Sequence, residues 1–251
     1  MSLPPVVSRE EWLAARRELL AAEKRHTRER DAVAAERRRL PMVRVDERYA
    51  FEGPGGDAGL LDLFEGRSQL VVYHFMWRYV EDVACPSCSA FVDQIGHLAH
   101  LHARDTTFAA VSRAPFEKIE AFRRRMGWTF PWWSSLGSDF NFDYHVTFDE
   151  SVAPVEYNYL GRDEIEQKGL PIGDWEQPFD LHGLSVFLTA GGEVFHTYSA
   201  YARGTDHLGF MSNFLDLTPL GRQEEWEEPK GRATALGAPA GSPGVRYHDE
   251  Y

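Results

Sequence analysis

The spacing of hydrophobic and polar positions changes character several times along the chain, and each change marks an element. From residue 8 to 40 the pattern is polar with a thin apolar stripe, Trp12, Leu19, Val33 and Leu40 falling at seven-residue steps with His26 breaking the seam. Ser8 followed by Glu11 is an S-x-x-E capping box, so one long helix is expected here. Nothing bulky flanks the seam after Leu20, which argues against a sustained coiled coil. The expectation is a solvated helix docked by its first two turns through Trp12, Leu13, Leu19 and Leu20, with a homodimer built on this helix as the other reading.

Beyond Pro41 comes an extended piece and the turn cluster Gly53-Pro54-Gly55-Gly56-Asp57. Residues 70–77, LVVYHFMW, form a continuous apolar run, the look of a central strand buried on both faces. Phe91, Val92, Ile95, Leu98, Ala99 and His102 then recur as the stripe of one amphipathic helix. Residues 107–111 read as a second strand, and 115–126 as a helix with Pro115 at its start and Gly127 past its end. Two strand-like runs at 184–189 and 193–198 flank Ala190-Gly191-Gly192, a hairpin signal. Residues 205–216 suggest a closing helix with Leu208, Met211, Phe214 and Leu215 on one side.

A βαβα unit followed by ββα predicts an α/β protein of thioredoxin-like fold: a mixed sheet with helices on both faces, a long N-terminal helix and an aromatic-rich insertion. The expected organisation is an arm at 1–52, a thioredoxin-like domain at 53–220 with the insertion at 127–182, and an irregular tail at 221–251 rich in Gly, Pro and Ala. The last residues, 246–251, are candidates to dock on the body.

Charge narrows the function. The 251 residues carry a formal −12, the wrong sign for a nucleic-acid or anionic-membrane partner. Residues 9–39 hold ten basic and seven acidic side chains, a basic arm on an acidic body. No apolar stretch reaches the ~20 residues needed to span a bilayer. Met1–Pro5 lacks a secretory pattern, and a cytoplasmic location is the default expectation.

Only two cysteines occur, Cys85 and Cys88. A C-x-x-C spacing in such a chain is a redox dithiol, half a zinc site, or two core cysteines. Cys85 follows the first buried strand and opens a helix, where the unpaired N–H groups stabilise a thiolate, so it is the expected nucleophile. Cys88, one turn further in, is placed to resolve a mixed disulfide. Glu81 and Asp82 would oppose the thiolate if close. His97, His100 and His102 lie too far down the helix to complete a zinc site with the cysteines, whereas His182, His196 and His207 could reach them in space. Trp128, Phe130, Trp132, Trp133, Phe140, Phe142 and Tyr144 either wall a substrate pocket or form the core of the insertion. Arg113 and Arg203 are candidate cations near the sulfur, or ordinary surface arginines. Nucleotide-binding and familiar hydrolase motifs are missing, and no cofactor is expected.

Several segments together resemble a bacterial thioredoxin-like family catalogued as domain of unknown function 899. They are Cys85-Pro86-Ser87-Cys88, Val111-Ser112-Arg113-Ala114-Pro115, Gly127-Trp128-Thr129-Phe130-Pro131-Trp132, Ser138-Asp139-Phe140-Asn141, Phe195-His196-Thr197-Tyr198-Ser199, Arg203-Gly204 and residues 215–222, LDLTPLGR. The resemblance implies a thioredoxin-like fold and no established substrate. By analogy with thioredoxins it gives Cys85 the nucleophilic and Cys88 the resolving role. Ala84 stands where thioredoxins carry Trp, His182-Gly183-Leu184 lacks their proline, and Asp82 stands where peroxiredoxins carry Thr or Ser. The expected function is a thiol-disulfide oxidoreductase or thiol-dependent peroxide reductase with an unknown electron donor. The alternative is a non-catalytic binding module that uses the aromatic segment as its pocket.

Overall fold

A computed structural model describes residues 3–170, 172–208, 210–239 and 241–250. The side chains of His207 and Met211, and Tyr251, lie outside the described residues. Eight strands make the main sheet: β1 (Val43–Arg44), β2 (Ala50–Gly53), β3 (Gly56–Gly59), β4 (Gln69–His74), β5 (Thr106–Ser112), β6 (Trp132–Ser134), β7 (Gly183–Ala190) and β8 (Glu193–Tyr201). Their spatial order is β1-β8-β7-β4-β5-β6-β2-β3. β4 and β5 are parallel, as a β-helix-β crossover requires, while β7 runs antiparallel to β4 and β8 antiparallel to β7. That central arrangement, β8-β7-β4-β5 with its helices, is the thioredoxin topology, extended by β6, β2 and β3 at one edge and β1 at the other. The hairpin turns on Gly191 and Gly192, both at positive φ, where a residue with a Cβ would be strained.

Strand alternation separates two cores. Tyr73 of β4, Phe108 and Ala110 of β5, and Phe75 just beyond β4 belong to one, together with both cysteines. Leu70, Val72, Ala109 and Val111 belong to the other, on the opposite face, with Leu63 and Phe64 of a 3-10 turn. The first face is covered by α2 (Pro86–Val92) and by α4 (Phe116–Arg125), whose Ile119 is fully buried; α3 (Ala99–His102) lies between them in the chain. A third, smaller cluster of Val146, Phe148, Val155, Tyr157, Ile165, Ile172 and Tyr201 gives the inserted segment a core of its own.

Several expectations change. α1 (Arg9–Arg37) forms with the capping box in place, Ser8 Oγ accepting from Glu11 N–H at 3.2 Å and the Glu11 carboxylate accepting from Ser8 N–H at 2.9 Å. It does not dock by its first turns: no residue of it is buried, and Trp12 and Leu19 are 46% and 55% exposed. Arg16 and Glu23, paired at 2.9 Å, lie on the same side as these apolar residues, so burying that side would desolvate an ion pair. The helix is tied at its other end, with the Arg37 guanidinium 4.6 Å from the Tyr198 ring centroid.

The single helix expected after Cys88 is two short ones, broken at residues 93–98. Asp93 is the C-cap of α2, its N–H still donating to Ser89 C=O at 2.8 Å while its side chain accepts from Trp128 Nε1 at 2.8 Å, and Gly96 lies within the break. The closing segment is a 3-10 stretch, Ala202–Leu208, and a short helix, Phe210–Leu215, with Leu208 and Phe214 exposed rather than in a core stripe.

The aromatic segment is core. Trp128, Phe130 and Trp132 pack beneath the cysteines with Phe75, at 4.4 Å between the Phe75 and Trp132 centroids. Phe140 and Tyr144 fill the opposite core against Tyr49, Phe51 and Phe187. They serve the two main cores, neither walling a pocket nor forming the private core of the insertion. Phe140→Ala is therefore expected to lower unfolding free energy by about 3–5 kcal/mol. The double change of Trp12 and Leu19 to Gln should stay within about 0.5 kcal/mol in chemical denaturation of the same chain.

Candidate active site

The apolar run of β4 carries the chain to the carboxyl edge of the sheet, where ligand sites of open α/β sheets lie. Phe75 N–H still donates to Val111 C=O at 2.9 Å, continuing the parallel pairing past the strand. Ser112 Oγ donates to Phe75 C=O at 2.7 Å and accepts from Trp132 Nε1 at 3.0 Å, which pins this edge from below. The segment then doubles back, Trp77–Arg78 pairing antiparallel with Val83–Ala84, and delivers Cys85 as the N-cap of α2. Cys85 N–H donates to Met76 C=O at 3.2 Å, and Pro86 occupies the first turn, where a missing N–H costs nothing.

Both cysteines are free, 3.9 Å apart and 2% exposed each. Their environments push them in opposite directions. The Cys85 thiol is brought down to about 6, first by the hydrogen bond that Cys88 donates to it, against the cost of burial, then by the N–H groups of Cys88 and Ser87 and the charge of Arg78. The neutral thiol itself makes no capping hydrogen bond; the N–H groups act on the thiolate. Cys88 is held well above the usual thiol range, first by burial and then by its bond to Cys85, with the Tyr73 hydroxyl donating to it in the opposing sense. The surroundings thus favour the thiolate on Cys85 and the neutral thiol on Cys88.

Arg78 is the cation that acts on Cys85, a residue the sequence reading passed over because it sits in the loop before the motif. The two arginines considered there are not among the charges that act on Cys85, although Arg113 acts on the neighbouring Asp180. Arg113 lies 5.1 Å from the Phe142 centroid, and Arg203 lies 4.2 Å from the Trp226 centroid and pairs with Asp206 at 3.0 Å. Asp82 is occupied by Lys118 and by the Trp77 indole N–H at 3.1 Å, and Glu81 faces Arg78 at 3.9 Å.

Asp180 was also invisible in sequence. It is buried and accepts from Trp77 N–H at 3.0 Å, Tyr79 OH at 2.8 Å and Thr147 Oγ1 at 2.6 Å. Burial raises its carboxyl to about 6 while those three donors hold it down. The residue thereby fastens the loop that carries Arg78, and ties the inserted segment to the site. A lone Asp between Phe179 and Leu181 carries no periodic signal that could have revealed this.

The histidines sit apart from the sulfurs. His182 Nε2 lies 3.1 Å from Thr205 Oγ1, and His97, His100 and His102 are on or beside α3. His196 joins a buried polar chain, His74 Nε2, Ser185 Oγ, Ser199 Oγ and His196 Nε2, each step 2.8 Å, across β4, β7 and β8. Desolvation brings His74 down to about 3, so it stays neutral there. Among the described residues no three His, Cys, Asp or Glu side chains gather as metal ligands would, and no helix is long and apolar enough to cross a membrane.

Topology and site define the class: a thioredoxin-fold protein with two free cysteines at the start of the helix that follows the first central strand. The chain belongs to the family described as bacterial protein of unknown function, DUF899, whose profile matches residues 1–251. No curated protein matches it. Among solved structures it is similar to peroxidoxin BcpB from Mycobacterium tuberculosis, at 11% identity and TM-score 0.44 over 67% of this chain and 93% of that one. It is also similar to a mutant of peroxiredoxin Q from Xanthomonas campestris, at 14% identity and TM-score 0.40 over 68% and 91%. The mitochondrial 2-Cys peroxiredoxin from Plasmodium falciparum gives 12% and 0.40 over 69% and 92%.

Alkylation of the reduced protein should modify Cys85 first, at a rate that climbs with pH through about 6 and levels off above neutrality. The sign follows from the lowered value: the thiolate, the reacting species, is lost only as pH falls below it. Asp180→Ala should displace that midpoint upward by freeing the Arg78 loop, and lower stability by about 2–4 kcal/mol through its three orphaned donors, read from the alkylation profile and a urea titration.

Proposed function

We propose that the protein is a two-cysteine reductase of S–S or O–O bonds, with Cys85 as nucleophile and Cys88 as resolving thiol. The observation that carries this reading is the opposed setting of two free cysteines 3.9 Å apart: one thiol held down at a helix start, the other held up by burial.

The Cys85 thiolate attacks one sulfur of a substrate disulfide. A mixed disulfide forms, the substrate S–S bond breaks, and the second sulfur leaves as a thiolate. Cys88, losing its proton to solvent or to the departing thiolate, then attacks Cys85 Sγ. The Cys85–Cys88 bond forms, the reduced substrate is released, and two electrons have passed to it. With a hydroperoxide, Cys85 becomes a sulfenic acid as an alcohol leaves, and Cys88 condenses with it to release water. Either cycle is closed by a thiol or dithiol donor that takes the disulfide back to two thiols. Lowering Cys85 favours the attacking thiolate at neutral pH, and the raised Cys88 stays protonated until the mixed disulfide removes its hydrogen-bond acceptor.

Redox titration in glutathione buffers, with thiols counted by alkylation and mass, is expected to show one reversible two-electron step from two thiols to none. Its midpoint should lie between about −270 and −120 mV, the span of known oxidoreductases. Cys85→Ser should abolish reduction of small disulfides and peroxides while the fold persists. Cys88→Ser should instead accumulate a mixed disulfide or a sulfenic acid on Cys85, visible by mass. Two thiols that stay reduced throughout, or full activity in Cys85→Ser, would overturn the assignment.

A further inference from the structure

A nucleophilic thiol has to meet its substrate, yet Cys85 is almost wholly covered, and part of the cover comes from the far end of the chain. Gly241 N–H donates to Ser87 Oγ at 2.8 Å, between the two cysteines in sequence. Tyr247, 9% exposed, belongs to the same apolar cluster as Cys85 and donates its hydroxyl to Ala84 C=O at 2.5 Å, on the residue just before the nucleophile. Its ring packs edge-on to Phe122 at 5.1 Å between centroids, with the Arg125 guanidinium 5.0 Å from the ring. Beyond it, His248 Nδ1 lies 2.7 Å from Asp93 Oδ1, Asp249 holds Arg125 through two contacts of 2.8 Å, and Glu250 adds one of 3.1 Å. Residues 241–250 therefore form a strap fastened to the chain on either side of Cys85, to the end of α2 and to the end of α4.

We propose that this strap, anchored by Tyr247, determines which substrates reach Cys85: small molecules carrying an S–S or O–O bond, and not disulfides set in a polypeptide. The proposal rests on the reductase reading of the same site. An extended polypeptide needs width beside the attacked bond and main-chain partners along the edge it lies on. The strap occupies that width, and the Ala84 carbonyl and Ser87 hydroxyl are already taken by its own donors. A small hydroperoxide or an amino-acid-sized disulfide needs only two heteroatoms in line with Sγ. Motion of the one Tyr247 side chain supplies that room while the ion pairs at residues 249 and 250 stay closed. Those pairs are solvent-exposed and weak singly, so the strap is a filter held by the Tyr247 anchor more than by its charges.

The test needs no knowledge of the substrate. In full-length Cys88→Ser protein, Cys85 alkylation is timed with iodoacetamide and with a maleimide bearing a polyethylene glycol chain. Tyr247→Ala is expected to raise the bulky-to-small rate ratio about tenfold, the scale of one lost hydrogen bond with its packing. Asp249→Asn with Glu250→Gln, at exposed carboxylates that no core depends on, should raise it about threefold, and salt should do the same to the unaltered strap. An unchanged ratio in both variants, or equal acceleration of both reagents, overturns the proposal. The chain with both cysteines is then supplied with dithiothreitol and offered cystine, hydrogen peroxide or insulin. The expected result is turnover of cystine or peroxide with little of insulin, and a gain of about tenfold in insulin relative to cystine on Tyr247→Ala. Insulin reduced as fast as cystine by the unaltered protein overturns it. A shifted alkylation ratio with no reduction of any substrate removes the reductase reading and leaves the strap as the cover of Cys85.

Discussion

Beyond Gln69, β4 packs against apolar cover on both of its faces, and the rest of the molecule is arranged to satisfy that. Its neighbours β5 and β7 take up its hydrogen bonds, and its alternate residues demand two separate apolar covers. The cover on the Tyr73 side is α2 and α4, and α2 must start close to the end of β4 to lie over it. Cys85 and Cys88 are placed by that requirement: the helix whose buried residues Cys88 and Val92 seal one face of the central strand has to present its N-terminus at the sheet's carboxyl edge.

Burial and charge then act on the two sulfurs unequally. Cys85, at the helix start, has N–H groups and Arg78 to favour its anion, whereas Cys88, one turn inside, has mainly desolvation. The loop that brings Arg78 is tied through Asp180, a buried carboxylate whose three donors come from residues 77, 79 and 147. The site thus depends on the inserted segment as well as on the motif. The C-terminal strap, latched to Ala84 and Ser87, adds Tyr247 to the buried cluster that holds Cys85.

Much of this was legible in advance because it rests on local signals. The central strand within the run at 70–77, which ends at His74 where the chain turns back, the Gly-Gly hairpin, the helix at 116–125 and the Ser8–Glu11 box each follow from periodicity, turn chemistry or capping within a few residues. So did Cys85 at a helix start, from Pro86 and the apolar residues after it. What local signals could not give is where long-range partners fall. The helix after Cys88 reads as continuous but breaks at residues 93–98, where the Asp93 side chain meets Trp128, 35 residues away. The aromatic residues at 128–144 read alike, and divide between two faces of one sheet because β6 carries the chain from one core to the other. Arg78, Asp180 and Tyr247 carry no pattern of their own.

By itself the sequence determined the α/β class, the order of β4, β5, β7 and β8 with the helices between the first two, and the pair of cysteines at the head of a helix; the short strands β2, β3 and β6 came only with the folded sheet. Period, caps and turn residues act over distances of one to four residues, which is the range a linear reading covers. Only the tertiary structure decided that α1 leaves its apolar residues in solvent, which cation and which carboxylate serve the thiols, and that residues 241–250 close over Cys85. Those outcomes turn on desolvation and on contacts between groups more than a hundred residues apart, such as Tyr247 with Ala84 or Asp180 with Trp77. Their free energy exists only once the chain has folded around them.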